Sequence, residues 1–128
     1  MTHSEQTVAA DAPVRYAFFL LLRATPEWLR LSRRERSARV DTHLAPLLRT
    51  YPAVRTRHFD AEAFTTVCSD VMLVETANLT QYYNFIEGLR DSPMVTVPYF
   101  EFVQIIPAIE DGFRAYEAGL ADGSGATR

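Results

Sequence analysis

The 128-residue chain contains no lysine and a single cysteine, Cys68. A single thiol can form neither an intrachain disulfide nor a CxxC pair. This argues against a secreted domain stabilised by disulfides and against a structural zinc site. The sequence also lacks the GxGxxG, GxxxxGKS/T and HExxH patterns. Nucleotide binding through a glycine-rich loop and zinc-dependent hydrolysis therefore have no motif to support them.

An excess of positive charge is missing too, because 13 basic residues, all arginine, stand against 16 acidic ones, for a net charge of -3. Non-specific binding to nucleic acid needs a strong basic excess that displaces counterions, so we expect no nucleic-acid partner. The stretch 30–39 is locally basic. It has two interpretations, a solvated helix face or a phosphate-binding site.

Long apolar runs are absent: the longest, Ala17–Leu22, is far shorter than the roughly 20 residues that cross a bilayer. The start of the chain, MTHSEQTVAADAP, lacks the basic and apolar regions of a signal peptide. We therefore expect a cytoplasmic protein with no membrane partner.

The composition, with 48% hydrophobic and 23% charged residues, is that of a globular protein, and the length suits one domain. Small and polar residues at 1–13 predict a flexible N-terminal arm, and those at 122–128 predict a disordered tail. A single domain is expected between them, over residues 14–121.

The most informative segment is Val14–Arg23, VRYAFFLLLR, which is apolar at both parities of a β-strand. A strand with one face in water alternates apolar and polar residues, so this one is expected to be covered on both faces. The segments 68–75 and 99–106 are nearly as apolar, and Pro107 is expected to end the second of them. The segment 54–60 is polar enough to be an edge strand.

Helix signals separate these strands. Ser32 and Glu35 fit a capping box, and Pro46 is expected to kink or break the helix that follows. Asn78 is expected to cap a second main helix, and a stripe around Phe113 marks a terminal one. The order predicts an α+β fold, a ferredoxin-like βαββαβ sandwich with an extra C-terminal helix and both main helices on one face of the sheet.

The second face of such a sheet has no cover in a monomer. Because three strands are apolar there as well, a monomer would expose a large apolar patch. A symmetric pair that stacks sheet on sheet removes this patch, so we expect a homodimer.

Six strings occur in order along the chain: RATPEWL (23–29), RHFDAEAF (57–64), CSD (68–70), LRDSP (89–93), PYFEFV (98–103) and IPAIEDGFRAYE (106–117). Together they resemble the darcynin family of small bacterial proteins. The resemblance implies a ferredoxin-like fold of the dimeric α/β-barrel kind and supplies no catalytic residues. The wider dimeric-barrel group includes cofactor-free oxygenases, small-molecule isomerases and cyclases, and haem-handling enzymes.

Three side chains are candidate proton-handling groups. His58 shares one face of the polar strand with Asp60, which is placed to orient it, although a polar edge strand also simply meets water. Asp70 precedes one apolar strand and Glu101 lies inside another, where desolvation raises the pKa of a carboxyl group. The alternative for each carboxylate is an ion pair with Arg23 or Arg57.

Metal and haem sites have little support. The three imidazoles, His3, His43 and His58, share no ligand-like spacing with a carboxylate. A haem needs an axial ligand, and His43 is the one helical candidate, although a partly exposed helix histidine has no need of a metal. We expect no metal and no cofactor.

Aromatic residues make up 12% of the chain, enough to wall a pocket for a flat ligand as well as to fill a core. The candidate ligand-binding residues are Tyr16, Phe18, Arg23, Trp28, Arg57, Tyr82 and Tyr99.

These residues favour a cofactor-independent enzyme that acts by proton transfer (isomerisation, cyclisation or dehydration) on a small aromatic or polyketide-like molecule in a pocket between sheet and helices. The alternatives are a non-catalytic small-molecule binding or sensing module, a cofactor-free oxygenase of the dimeric-barrel type, and a protein-interaction module. A pocket holding a titratable group with a shifted pKa favours the enzyme, a wholly apolar pocket favours the binding module, and a filled core favours the interaction module.

Overall fold

A computed structural model describes residues 15–121. The arm expected at 1–13 and the tail expected at 122–128 lie outside these residues. The four strands are β1 (Tyr16–Ala24), β2 (Arg55–Asp60), β3 (Asp70–Thr76) and β4 (Phe100–Ile109). The helices are α1 (Pro26–Leu29), α2 (Arg33–His43), α3 (Ala45–Thr50), α4 (Leu79–Asp91), α5 (Pro93–Thr96) and α6 (Gly112–Ala121).

The strands form one antiparallel sheet in the order β2-β3-β1-β4. This order, with the helices that connect the strands, is the predicted ferredoxin-like α+β fold. The polar strand β2 lies at an edge of the sheet, as its sequence indicates.

Local side-chain chemistry sets where the two main helices begin. The Ser32 hydroxyl accepts from the Glu35 N–H at 3.1 Å, and the Glu35 carboxylate accepts from the Ser32 N–H at 2.7 Å, which completes the capping box before α2. The Asn78 side chain accepts from the Gln81 N–H at 3.0 Å and caps α4. Both helix starts agree with the sequence prediction.

The two prolines that were expected to interrupt an element behave differently. Pro46 lies in the first turn of α3, and the helical segment is broken at Leu44, between α2 and α3, as predicted. Pro107 does not end β4, which continues to Ile109, so that prediction is wrong. The strand tolerates Pro107 because β4 is an edge strand, where a missing N–H on the outer side costs no ladder hydrogen bond.

The core lies between one face of the sheet and the helices. Leu20 and Val74 from the sheet and Phe85 from α4 are completely buried. Their packing holds α4 against the middle strands, and Met94 of α5 extends the same cluster. We call this side of the sheet the helix face.

The opposite side, which we call the open face, is not covered within the chain. One row across the sheet holds Arg57, Leu73, Phe19 and Ile106. Phe19 and Ile106 are 37% and 43% exposed. The terminal helix α6 leaves its own apolar residues Phe113 and Tyr116 more exposed still. The described chain therefore covers β1 on one face only.

No helix in residues 15–121 is both long enough and apolar enough to span a lipid bilayer.

Candidate ligand cavity between the sheet and the helices

A cavity of about 310 Å³ lies on the helix face of the sheet. Sheet residues line its floor and residues of α1, α2, α4 and α5 line the rest. Its lining is Leu22, Trp28, Arg36, Val40, Leu44, His58, Asp60, Asp70, Val71, Met72, Leu89, Met94, Val95, Phe100 and Phe102. The volume is within the range of small-molecule sites, and the mixture of many apolar groups with few polar ones is typical of them.

Strand register brings the polar side chains of the floor together. Asp60 of β2 lies directly opposite Asp70 of β3, in the row that continues through Leu22. His58 occupies the next row on the same face, diagonal to Asp70. Neighbouring and diagonal positions on one face are within reach of long or polar side chains. The sheet thus gathers the imidazole and two carboxyl groups at the β2 side of the cavity.

The other side of the cavity is aromatic. Trp28 of α1 packs on Phe100 with ring centroids 4.8 Å apart, and Phe102 lies in the same row as Asp70 and Leu22. The short helix α1 is held in place by Thr25, whose hydroxyl caps it by accepting from the Trp28 N–H and donates to Pro98 O at 2.7 Å. A flat ligand would have ring faces to contact there.

The environment of Asp70 favours its protonated form. Burial is the largest cause that raises the pKa of this carboxyl group, and the negative charges of Glu62 and Asp60 raise it further. The Ser69 hydroxyl, which donates to Asp70 Oδ2 at 2.7 Å, acts in the opposite direction. A carboxyl group with a raised pKa can both hold and release a proton closer to neutral pH.

The environment of His58 favours its neutral form. Loss of hydration lowers the pKa of the imidazole, and the nearby charge of Asp70 only partly offsets this. Among the described residues none forms a hydrogen bond with its ring nitrogens. His58 and Asp60 are also exposed to solvent, so the cavity is open on the β2 side. A neutral imidazole at such an opening can accept a proton.

The structure places three of the candidate residues from the sequence at the cavity: His58, Asp70 and Trp28. Glu101 is exposed on the open face, opposite Arg23 in the β1–β4 ladder, and the cavity does not include it. Arg57 also lies on the open face, where it forms an ion pair with Glu75 at 3.4 Å.

The remaining aromatic candidates also lie outside the cavity lining. Phe18 stacks on Tyr82 with ring centroids 3.6 Å apart, and this pair packs against the core. The Tyr99 hydroxyl accepts from Arg39 Nε at 3.0 Å, and Tyr16 begins β1 at the far end of the sheet. The guanidinium of Arg23 donates to Val67 O at 2.9 Å.

Sequence reasoning missed several residues that line the cavity, notably Arg36, Met94 and Phe102. Arg36 belongs to the basic stretch 30–39. Neither interpretation of that stretch, a solvated helix face or a phosphate-binding site, distinguishes Arg36 from the other arginines. The helical period carries a usable signal, because Arg36 and Val40 are four residues apart and therefore share a helix side. Only the packing of α2 shows that this side faces the sheet.

The described residues do not fit a metal ion or a haem. No three His, Cys, Asp or Glu side chains within residues 15–121 are placed to hold a metal. His43, the helical candidate for an axial ligand, is not part of the cavity lining, whereas His58 is. The cavity volume is near the lower limit of ligand sites, which is small for a haem.

Replacing Asp70 with asparagine is expected to stabilise the fold at neutral pH. A carboxyl group whose pKa is raised in the folded state stabilises the fold below its ordinary pKa and loses that contribution as the pH rises through the folded value. Asparagine removes the charge and keeps an acceptor for Ser69. Because Asp70 is partly solvated, we expect a modest gain of about 0.5–1 kcal/mol in the free energy of unfolding, measured by urea denaturation.

The gain should shrink as the pH falls toward the ordinary range of an aspartic acid, where wild-type Asp70 is protonated as well. Glu87→Gln, an exposed carboxylate on α4, is the matched control and should change the free energy of unfolding by less than about 0.5 kcal/mol. A loss of stability in Asp70→Asn at neutral pH would show that the carboxylate serves as a structural ion or hydrogen-bond partner.

The fold and the cavity define the class: a ferredoxin-like α+β protein with a ligand-sized cavity between its sheet and its helices. Comparison with known sequences identifies the family. The darcynin family, described as a domain of unknown function, matches residues 1–124, and the chain belongs to this family.

Two relatives show the extent of the match. Darcynin from Chromobacterium violaceum is 58% identical over 78 residues, which cover 61% of this chain and 99% of that protein. Darcynin 1 from Acinetobacter baumannii is 49% identical over 88 residues, which cover 69% of this chain and 98% of that protein. The resemblance noted in the sequence is thereby confirmed.

Solved structures with a similar fold include chlorite dismutases from Candidatus Nitrospira defluvii. One variant superposes with a TM-score of 0.65 at 16% identity, covering 85% of this chain and 47% of that one. The complex with imidazole gives a TM-score of 0.63 at 9% identity, covering 82% and 43%. The chain spans less than half the length of these structures, and identities this low show a shared fold only.

Proposed function

We propose that this protein binds a small, largely apolar aromatic or polyketide-like molecule in the cavity and catalyses a proton transfer on it. The observation that carries the proposal is the pairing, on the cavity floor, of a carboxyl group with a raised pKa and an imidazole with a lowered pKa. These shifts bring the two pKa values closer together, so a proton can pass to or from either group at a smaller cost, as general acid–base catalysis requires.

The proposed roles follow from the position of each group and the direction of its pKa shift. His58, at the solvent-exposed side, accepts a proton from the ligand, and the carboxyl group of Asp70, whose pKa is raised by burial, donates one to the oxygen or carbon where negative charge develops. Asp60, opposite Asp70, favours retention of that proton. Isomerisation, cyclisation and dehydration all need such a step, and a cofactor-free oxygenase would begin with the same deprotonation.

Hydrogen exchange provides a test that does not require the natural substrate. β-Tetralone has acidic protons beside its carbonyl group, and their replacement by deuterium in D₂O is followed by NMR. We expect the wild-type protein to accelerate this exchange, and Asp70→Asn or His58→Gln to reduce the acceleration by about 10²–10⁴-fold. Glu101→Gln should retain it, because Glu101 lies outside the cavity.

Binding of the same ketone is followed by the fluorescence of Trp28, the only tryptophan, which lines the cavity. Binding without any acceleration of exchange would favour the non-catalytic binding module. Absence of both would remove the support for a ligand of this chemistry.

We also propose that the protein is a homodimer in which two open faces stack. The open face exposes Phe19, Phe59 and Ile106, and at one end of the sheet it carries Arg55 on the β2 side and Glu110 on the β4 side. A two-fold axis parallel to the strands places β2 of one copy over β4 of the other, so opposite charges meet. An axis across the strands would place like charges together.

A further inference from the structure

One arginine of the basic stretch 30–39 differs from its neighbours. Arg33 and Arg34 are exposed, whereas Arg36 is half-buried and lines the ligand cavity. Its guanidinium lies 5.9 Å from the centroid of the Trp28 ring. A guanidinium at this distance is attracted to the face of the ring, and its planar donors match the geometry of a carboxylate.

The hydrogen bonds of Arg36 leave much of its guanidinium unused. Nε donates to Trp28 O at 3.2 Å, and Nη2 donates to Leu29 O at 3.0 Å. A guanidinium has five N–H donors, so three have no protein acceptor within residues 15–121. No acidic side chain of that part of the chain lies within ion-pair distance of Arg36 either.

This charge is therefore oriented but not neutralised. The two backbone carbonyls fix the plane of the guanidinium at the end of α1, while apolar residues of the cavity reduce its hydration. A partly desolvated charge without a counter-ion is unfavourable. A ligand carboxylate would supply the counter-ion and would form bidentate, charge-assisted hydrogen bonds with the guanidinium.

The other polar groups of the lining are on a different layer. His58, Asp60 and Asp70 belong to the sheet, whereas Arg36 belongs to α2 in the helix layer. The rings of Trp28 and Phe102 line the same cavity. A ligand that satisfies both ends has an anionic group at one end and a reactive or hydrogen-bonding group at the other.

We propose that the ligand of the cavity is a small aromatic carboxylate, bound through its anionic group by Arg36, with its ring against Trp28 and its far end directed at His58 and Asp70. The inference rests on the proposed function, because it names the substrate class of the same cavity. Burial raises the pKa of Asp70, which reduces the negative charge that this residue presents to an anion, and Arg36 lies in the opposite layer from the carboxyl groups.

The test compares two probes of nearly equal size by isothermal titration calorimetry: para-hydroxybenzoate, an anion, and para-hydroxybenzamide, its neutral counterpart. We expect the wild-type protein to bind the anion about 10- to 100-fold more tightly, as expected for hydrogen bonds to a charged group. Arg36→Gln should abolish this preference and retain binding of the amide.

Arg39→Gln is the matched control. Arg39 lies one turn further along α2 and likewise donates to another residue, Tyr99, over whose ring it lies at 5.8 Å. It is not part of the cavity lining, so its replacement should leave the preference for the anion unchanged. Equal binding of both probes by the wild-type protein would overturn the role of Arg36 and leave the cavity-binding proposal standing. Failure of both probes to bind would overturn this inference and the aromatic ligand class together.

A second measurement does not depend on the folding of a variant. In a crystal of the wild-type protein with para-bromobenzoate, the anomalous signal of bromine gives the orientation of the ring. We expect the carboxylate within hydrogen-bond distance of Arg36 and the bromine on the side of Asp70. The reverse orientation, or a bromobenzoate bound elsewhere, contradicts the inference.

Discussion

Phe85→Ala is expected to lower the free energy of unfolding by about 3–5 kcal/mol. Phe85 is completely buried at the contact between α4 and the sheet, and its removal leaves a void that the surrounding Leu20 and Val74 cannot fill without moving strands. For a domain of this size the same loss lowers the melting temperature by roughly 10–20 °C. Urea denaturation measures the first quantity and calorimetry the second.

Tyr83→Ala is the control, because Tyr83 lies on the same helix and is 64% exposed. It should change the free energy of unfolding by less than about 1 kcal/mol. All variants are compared at one protein concentration, since dimer formation would make stability depend on concentration. A loss below about 1 kcal/mol in Phe85→Ala would mean that α4 does not pack on the sheet as described.

Phe19→Asp is expected to convert the protein from dimer to monomer. The wild-type chain of 14.5 kDa should sediment at about twice that mass at micromolar concentration. A carboxylate in the middle of the open face would be buried unpaired in the stacked dimer, which weakens association by about 100-fold or more. Sedimentation equilibrium over a range of concentrations gives the dissociation constants.

Leu79→Asp is the matched control, since Leu79 is 46% exposed but begins α4 in the helix layer. It should leave the dimer intact. The orientation of the pair is tested by charge reversal: Arg55→Glu alone should weaken the dimer, and adding Glu110→Arg should restore it, because Arg55 of β2 and Glu110, just after β4, lie at the same end of the sheet and are proposed to face each other. A wild-type protein that sediments as a monomer contradicts the dimer, and a double variant that is not restored contradicts its orientation.

The chemistry of short segments was sufficient to predict most of the fold. The capping groups of Ser32 and Asn78 act within three residues, and a proline such as Pro46 disrupts the helix in its own turn. The polar edge strand β2 and the order of strands and helices also follow from local patterns, and ferredoxin-like topology follows from that order. The effect of Pro107 is different, because it depends on the outer position of β4 in the sheet, which is not a local property.

The candidate site was less predictable, and Asp70 and Glu101 show why. Both carboxylates stand among apolar residues, in strands whose sequences are apolar on both faces. The sequence pattern therefore does not show which set of alternate residues packs against the helices. The register places Asp70 on the helix face and Glu101 on the open face. A register irregularity between Leu21 and Leu22 also shifts the pairing of β1 with β4, which no local pattern in β4 indicates.

By itself, then, the sequence determined the elements, their caps, their order and the excess of apolar surface on the sheet, because these depend on backbone and side-chain preferences within a few residues. The tertiary structure alone decided that His58, Asp70 and Arg36 line one cavity. These residues come from β2, β3 and α2, and the space between them exists only because two layers pack at a particular separation. Both that separation and the side of α2 that faces the sheet depend on contacts between residues far apart in the sequence. Patterns within one helical turn therefore do not specify them.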